Sequence, residues 1–139
     1  MEICNVCGAD SWGNMGVRVG VRCASCNSLE RTRIMKLYLD YLQIPAKGMR
    51  VLHIAPEPGL AMFFQSIPGL FYEPVDIDPG AYHFCNAKKL DLCTDAKNLP
   101  ENHYDLIIHS HVMEHVTCNV TAVMYYLQRS LKRSGHHIF

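Results

Sequence analysis

The period of the apolar positions changes twice along the chain. Residues 1–26 hold few large aliphatics and show no period, so they bury too little apolar surface to fold without a staple. A helical period begins near Asn27. Asn27 followed by Glu30 reads as a capping box, and Ile34, Leu37, Tyr38, Tyr41 and Leu42 recur at helix spacing. Pro45 and Gly48 end that helix. From residue 50, short apolar runs alternate with helical stretches. Arg50–Ile54 reads as a buried strand, 59–66 as a short helix closed by Pro68 and Gly69, and Phe71–Asp76 as a second strand in which Pro74 suggests a bulge or a local break. A weaker strand follows at 89–92 and a firm one at 105–108. The spacing predicts a helix over 117–133, with Val120, Val123, Met124, Leu127 and Leu131 on one face and Gly135 as its stop. A fifth strand opens at 136–139. Strands alternating with helices imply right-handed crossovers and a parallel sheet, hence an α/β fold.

Composition narrows the class. Of 139 residues, 49% are apolar and 19% charged, which supports a packed core and excludes wholesale disorder. Thirteen basic and thirteen acidic residues cancel, so no global charge draws the chain to nucleic acid or an anionic membrane. No apolar run approaches the roughly 20 residues of a membrane span. The first residues lack the basic and apolar regions of a signal peptide.

Four of the seven cysteines form two C-x-x-C pairs, Cys4 with Cys7 and Cys23 with Cys26, separated by 15 residues. Zinc takes four thiolates in a tetrahedron; each pair supplies one side of it, and 15 residues allow a hairpin between them. Two redox dithiols are the rival, disfavoured because neither pair opens a helix in a βαβ unit. A closed four-thiolate site has no open position for substrate, so its role is structural. Cys85, Cys93 and Cys118 share no spacing and read as free thiols. The pattern points to a reducing, cytoplasmic setting.

The first α/β strand runs into Ala55-Pro56-Glu57-Pro58-Gly59, where nucleotide-binding α/β folds let backbone approach a ligand at a helix N-terminus, though only Gly59 remains of the usual glycines. The second strand ends at Asp76, 17 residues beyond Gly59, placed to accept from ribose hydroxyls; Asp78-Pro79-Gly80 is a turn. Val51-Leu52-His53-Ile54 with that loop, Val75-Asp76-Ile77-Asp78-Pro79, Asp95-Ala96-Lys97-Asn98-Leu99-Pro100, Tyr104-Asp105-Leu106-Ile107-Ile108 with Ser110-His111-Val112-Met113-Glu114-His115-Val116, and Leu131-Lys132-Arg133-Ser134-Gly135 follow in order. This series resembles the motifs of class I S-adenosylmethionine-dependent methyltransferases of the type 11 kind. Cys23-x-x-Cys26-Asn27-Ser28-Leu29-Glu30-Arg31-x-Arg33 looks like the zinc-ribbon head of a subgroup of them.

The resemblance implies a zinc ribbon over 1–27, a connecting helix and linker over 28–48, and a Rossmann-like domain over 49–139 with about five strands. The family sheet normally has seven, so an uncovered edge and self-association through it are expected. It also implies S-adenosylmethionine as cofactor: Ala55, Pro56, Glu57 and Gly59 beside its methionine part, Asp76 on the ribose, Ile77 on the adenine, Asp95 and Ala96 at the adenine amino group, and His109 and Ser110 near the methyl. His53 stands where the family has an acid, and Glu57 is a candidate for the cofactor's ammonium group. His111 is the candidate base, since an imidazole can take a proton from an attacking hydroxyl or amine. The acceptor is a small molecule, a sugar or a protein. Two other functions stay open: a binding module without catalysis, favoured by the degenerate loop, and an RNA-modifying enzyme. Four arginines against three acids in residues 1–33, with no basic stripe and no aromatic stacking run, argue against RNA. Among eight histidines, no H-E-x-x-H arrangement supplies a second metal site.

Overall fold

The protein is described by a computed structural model covering residues 2–139. Its first part is an antiparallel hairpin, β1 (Trp12–Met15) and β2 (Arg18–Cys23), lying between the two cysteine pairs. The Trp12 indole donates to the Glu2 carbonyl, and the Arg33 guanidinium lies 4.7 Å from the Trp12 ring centre while donating to the carbonyls of Val21 and Ser28.

Helix α1 (Glu30–Leu42) starts two residues later than the Asn27 capping box predicts. Asn27 has a φ of +59° and turns the chain out of the second cysteine knuckle instead. Leu29 is the residue before the helix, and its N–H donates to the Thr32 hydroxyl. The inward face is also rotated from the predicted one. Thr32, Lys36 and Leu39 are buried, whereas Ile34, Leu37 and Tyr41 are 67%, 63% and 81% exposed. The polar anchors set this rotation: Arg33 is bound to the head, Thr32 faces the next loop, and the Lys36 ammonium lies 4.4 Å from the Phe63 ring centre while paired with Asp40.

The second part is a five-stranded sheet of order β5-β4-β3-β6-β7, with every neighbouring pair parallel. Its strands are β3 (Arg50–Ile54), β4 (Phe71–Asp76), β5 (Lys88–Lys89), β6 (Tyr104–Ile108) and β7 (Leu131–Ile138). Alternate residues of β3 and β6 go to opposite cores. Val51, Leu106 and Ile108 pack with Leu39, Leu60 and Phe64 beneath α1 and α2 (Pro58–Gln65). Leu52, Ile54 and Ile107 pack with Val123 and Leu127 of α4 (Val120–Ser130). A parallel strand buried on both faces needs this layer on each side. Asp105 locks the lower end of the sheet: it accepts from the Arg50 N–H at 2.8 Å and from the Lys132 ammonium at 2.9 Å. Burial pushes the Asp105 carboxyl up, but Lys132 and the Arg50 N–H outweigh it and hold it below the usual carboxylate range.

Three predicted features are corrected. Pro74 makes no bulge: β3 and β4 pair in unbroken register from Arg50–Phe71 to Ile54–Val75. The Val75 carbonyl accepts from Ala55 and the Asp76 carbonyl from Leu90, so Pro74 directs its missing N–H toward β5, whose pairing begins only at Val75. The third strand is only Lys88–Lys89, because Asp91 caps a short helix, α3 (Leu92–Asp95), by accepting from the Cys93 N–H. The last helix is shorter than 117–133. Asn119 caps it, and it stops at Ser130, where buried Leu131 draws the chain into β7. Gly135 is therefore a strand residue. Leu131 lies opposite Tyr104 but His136 opposite Leu106, so β7 bulges between them. A Cβ at Gly135 would sit 3.0 Å from the carbonyl oxygens of both Tyr104 and Lys132.

Among the described residues β7 pairs with β6 alone, leaving its outer edge unpaired beside exposed Ile34, Tyr38 and Phe139. Unpaired strand groups next to apolar side chains favour strand addition. Self-association through this edge is accordingly proposed. Sedimentation over a concentration series is expected to show association; a monomer at every concentration, with 131–138 fully protected from hydrogen exchange, would remove the proposal.

Candidate functional site

The two C-x-x-C turns and the hairpin between them bring Cys4, Cys7, Cys23 and Cys26 together. Their four sulfurs all lie within 4.8 Å of one another. Cys4 and Cys26 are 3.7 Å apart and Cys7 and Cys23 3.6 Å. Bonds of about 2.3 Å to a tetrahedral zinc give sulfur separations of about 3.8 Å, which these two pairs match, so the four residues could hold that ion. The Ser28 hydroxyl lies 3.3 Å from the Cys4 sulfur and 3.2 Å from that of Cys26. Burial pushes the Cys4 thiol up, but Ser28 and the backbone N–H groups of Val6 and Cys7 outweigh it and bring it to about 6. At Cys26 burial wins and the thiol is pushed up to about 12.

A second site lies at the carboxyl ends of the strands. The chain runs β3, β4, β5 in one direction and then crosses to β6 and β7 on the other side of β3. Such a reversal leaves a crevice above the strand ends. A cavity of about 470 Å³ occupies it, within the range of small-molecule sites. Ala55 closes β3 at its rim, Asp76 and Ile77 close β4, Leu90 to Cys93 form one wall, and His111, Val112 and the 115–117 segment form the other.

Of the candidate residues, Ala55, Asp76, Ile77 and His111 line this one cavity. Ala55 has a φ of +51°, a glycine-like conformation carried by an alanine. One carboxylate oxygen of Asp76 accepts from the Asp78 N–H at 2.8 Å, which orients the side chain at the turn. His111 also has positive φ, +53°, and its Nδ1 lies 2.9 Å from the Glu114 carboxylate. With Nδ1–H donated to Glu114, Nε2 keeps its lone pair.

The other predicted residues lie elsewhere. Pro56 is fully buried. Glu57 turns its carboxylate to Arg31 and Thr32 of α1, and Gly59 packs under the cysteine head, so neither lines the cavity. Asp95 accepts from the Asp91 N–H and the Thr94 hydroxyl, closing α3 on itself; Ala96 is buried behind it, and Asp91 to Cys93 take the wall instead. Ser110 is half-buried between His109 and His111 and is not among the residues lining the cavity. His109 is buried, with its Nε2 3.0 Å from Nε2 of His137, and stacks on Phe139. His53 points into the α2 core, its Nδ1 3.0 Å from the Tyr72 hydroxyl.

Two features were missed. Tyr82, on the turn after Asp78-Pro79-Gly80, enters the cavity beside Asp76; burial and that carboxylate both push its phenol above the ordinary value. An aromatic shortly after the strand-end acid was the only signal. Cys93 and Cys118 are not free thiols but form a disulfide that ties the α3 wall to the segment before α4. Twenty-five residues apart, they gave no spacing cue; the sheet brings them together. Cys85 is free and buried, as expected.

Comparison with known proteins agrees with this geometry. A family model described as "Methyltransferase domain" matches residues 59–139. The chain belongs to this methyltransferase-domain family. Comparisons with curated proteins and with solved structures return no match. The match to the methyltransferase domain begins in α2, so the cysteine head, α1 and β3 lie outside it. Among the described residues of this methyltransferase-domain protein, no helix is long and apolar enough to cross a membrane.

Two measurements follow from these clusters. Purified protein is expected to carry one zinc per chain by elemental analysis. Cys23→Ser should lose it and shift the emission of Trp12, the single tryptophan, to that of an unfolded head. Burial lowers His53 to about 3, and burial lowers His109 and His137 to about 4, with the neighbouring imidazole adding to the effect at His53 and His109. The unfolded chain therefore takes up protons first as pH falls, and the stability these groups contribute is complete above about 6.5 and lost toward about 4 for His109 and His137 and about 3 for His53. The denaturant midpoint should fall across that window, and His137→Asn should flatten the fall. A midpoint independent of pH would show these rings to be protonated in the fold.

Proposed function

We propose that this methyltransferase-domain protein binds S-adenosylmethionine in the cavity above β3 and β4 and transfers its methyl group to an O, N or C nucleophile. The observation that carries this is the Asp76 carboxylate at the end of β4, in the wall of a cavity at the strand-order reversal. The donor set fits the cofactor: a strand-end acid for vicinal hydroxyls, Ile77 and Leu92 as apolar flanks for a base, and backbone at Ala55 for close approach. The bound cofactor supplies an activated methyl on a sulfonium. The chain's own groups need only align, exclude water and accept a proton. Asp76 orients the ribose. His111, held through Nδ1 by Glu114, presents Nε2 to a proton leaving the acceptor. The acceptor is a small molecule, a sugar or a protein side chain. The zinc ribbon is structural, because its four positions are all taken by thiolates.

Only Ala55 of the predicted loop residues faces the cavity, which favours as a second reading a nucleoside-binding module without turnover. The two separate cleanly: both bind S-adenosylhomocysteine, but only the enzyme consumes S-adenosylmethionine with an acceptor present. Charge-assisted hydrogen bonds from two hydroxyls to a carboxylate are worth about 1.5–3 kcal/mol each. In calorimetry, Asp76→Ala is expected to weaken S-adenosylhomocysteine at least about tenfold, with zinc content unchanged. Equal affinity in variant and parent would place the ribose elsewhere.

A further inference from the structure

The loop that carries Ala55 into the cavity is held from behind by α1 and the cysteine head. Arg31 Nε donates to one oxygen of Glu57 at 2.6 Å, and the Thr32 hydroxyl donates to the other. The Glu57 side chain is only 15% exposed. Two residues on, Gly59 lies against the head itself. A Cβ there would stand 3.1 Å from the Ser28 Cβ, 3.4 Å from a Val6 methyl and 3.5 Å from the Cys26 carbonyl oxygen. Ser28 in turn is bonded to the sulfurs of Cys4 and Cys26. Contact therefore runs without a gap from the sulfurs through Ser28 to Gly59, and from α1 through Glu57 to the same loop.

Backbone strain gives a second, independent observation. Ala55 holds a φ of +51°, which an alanine keeps only where its surroundings impose it. Its own N–H is fixed by the Val75 carbonyl, and the residues after it are fixed by the head.

We propose that the cysteine head is a positioning device for the cofactor loop. Closure of Cys4, Cys7, Cys23 and Cys26 on zinc sets Ser28, Arg31 and Thr32, and these hold residues 55–59 in the conformation that presents Ala55 to the cavity. This rests on the cavity being the cofactor site. Arg31, Thr32 and Gly59 are positioning residues, since none touches the cavity. Coupling of this kind is reciprocal: a ligand that prefers the held loop must also tighten the head.

The test uses the full chain. In Arg31→Ala/Thr32→Val the thiols are untouched, so one zinc per chain is retained. Calorimetry with S-adenosylhomocysteine should show affinity reduced about fivefold or more. Hydrogen exchange over 55–61 should quicken, and chelation of zinc from the parent should produce the same two changes. Conversely, S-adenosylhomocysteine should slow the loss of zinc from the parent to a chelator. Unchanged affinity and unchanged exchange in the zinc-loaded double variant would overturn the proposal. Should that variant fail to fold, Gly59→Ala presses on Ser28 while leaving every polar contact in place, and the same two readouts decide. A parent that binds no S-adenosylhomocysteine would overturn the cofactor assignment instead. The exchange measurement would then still decide whether the head holds the loop: faster exchange in the variant supports it, and none overturns it.

Discussion

Burial of β3 and β6 on both faces is the constraint from which the rest of the domain follows. Val51 and Leu52, or Leu106 and Ile107, are neighbours in sequence yet belong to opposite cores. Each core must be closed by helices, α1 and α2 on one side and α4 on the other. Parallel pairing requires a crossover between strands, and a right-handed crossover places each helix on a definite face. To cover both faces the chain must build outward from β3 in one direction, return, and build in the other. The crevice above the strand ends is the geometric residue of that return. Ala55, Asp76 and His111, far apart in sequence, meet there because each ends or follows a strand.

The loop after β3 departs most from expectation. In a nucleotide-binding turn, small residues leave room for a ligand's backbone contacts. Here one small residue, Gly59, leaves room for Ser28 and Val6 of the head, and Glu57 meets Arg31 and Thr32. The glycine-like backbone conformation survives at Ala55 without the glycine. So the loop keeps its shape while much of its chemistry serves packing against the N-terminal part. The histidines divide in a similar way. His53 and His109 are buried and His137 is half-buried, and desolvation shifts all three toward the neutral form, whereas His111 sits on the cavity wall with a carboxylate behind it.

Local chemistry was legible where a residue type and a short spacing carry the whole signal. Two C-x-x-C pairs can hardly be read otherwise, and their sulfurs gather as that spacing requires. The apolar runs at Arg50–Ile54, Phe71–Asp76 and 105–108 are strands, and the acid ending the second one reaches the cavity. What failed were features settled between elements. The α1 stripe of Ile34, Leu37 and Tyr41 is genuinely helical but faces outward, because Arg33, Thr32 and Lys36 find partners that fix the rotation. Gly135 looks like a helix stop and is a strand bulge, because buried Leu131 ends the helix first.

The amino-acid sequence by itself determined that 50–54, 71–76 and 105–108 are strands, where the four thiols cluster, and that an acid closes the second of these strands, since period, ligand spacing and strand ends are properties of neighbouring residues. Only the tertiary structure decided which faces are buried, that Cys93 meets Cys118, that Tyr82 stands beside Asp76, and that Glu57 turns to α1 and Gly59 to the head and not to the cavity. Those outcomes depend on which distant groups compete for the same side chain, and a carboxylate or a bare backbone takes the partner that packing brings within reach.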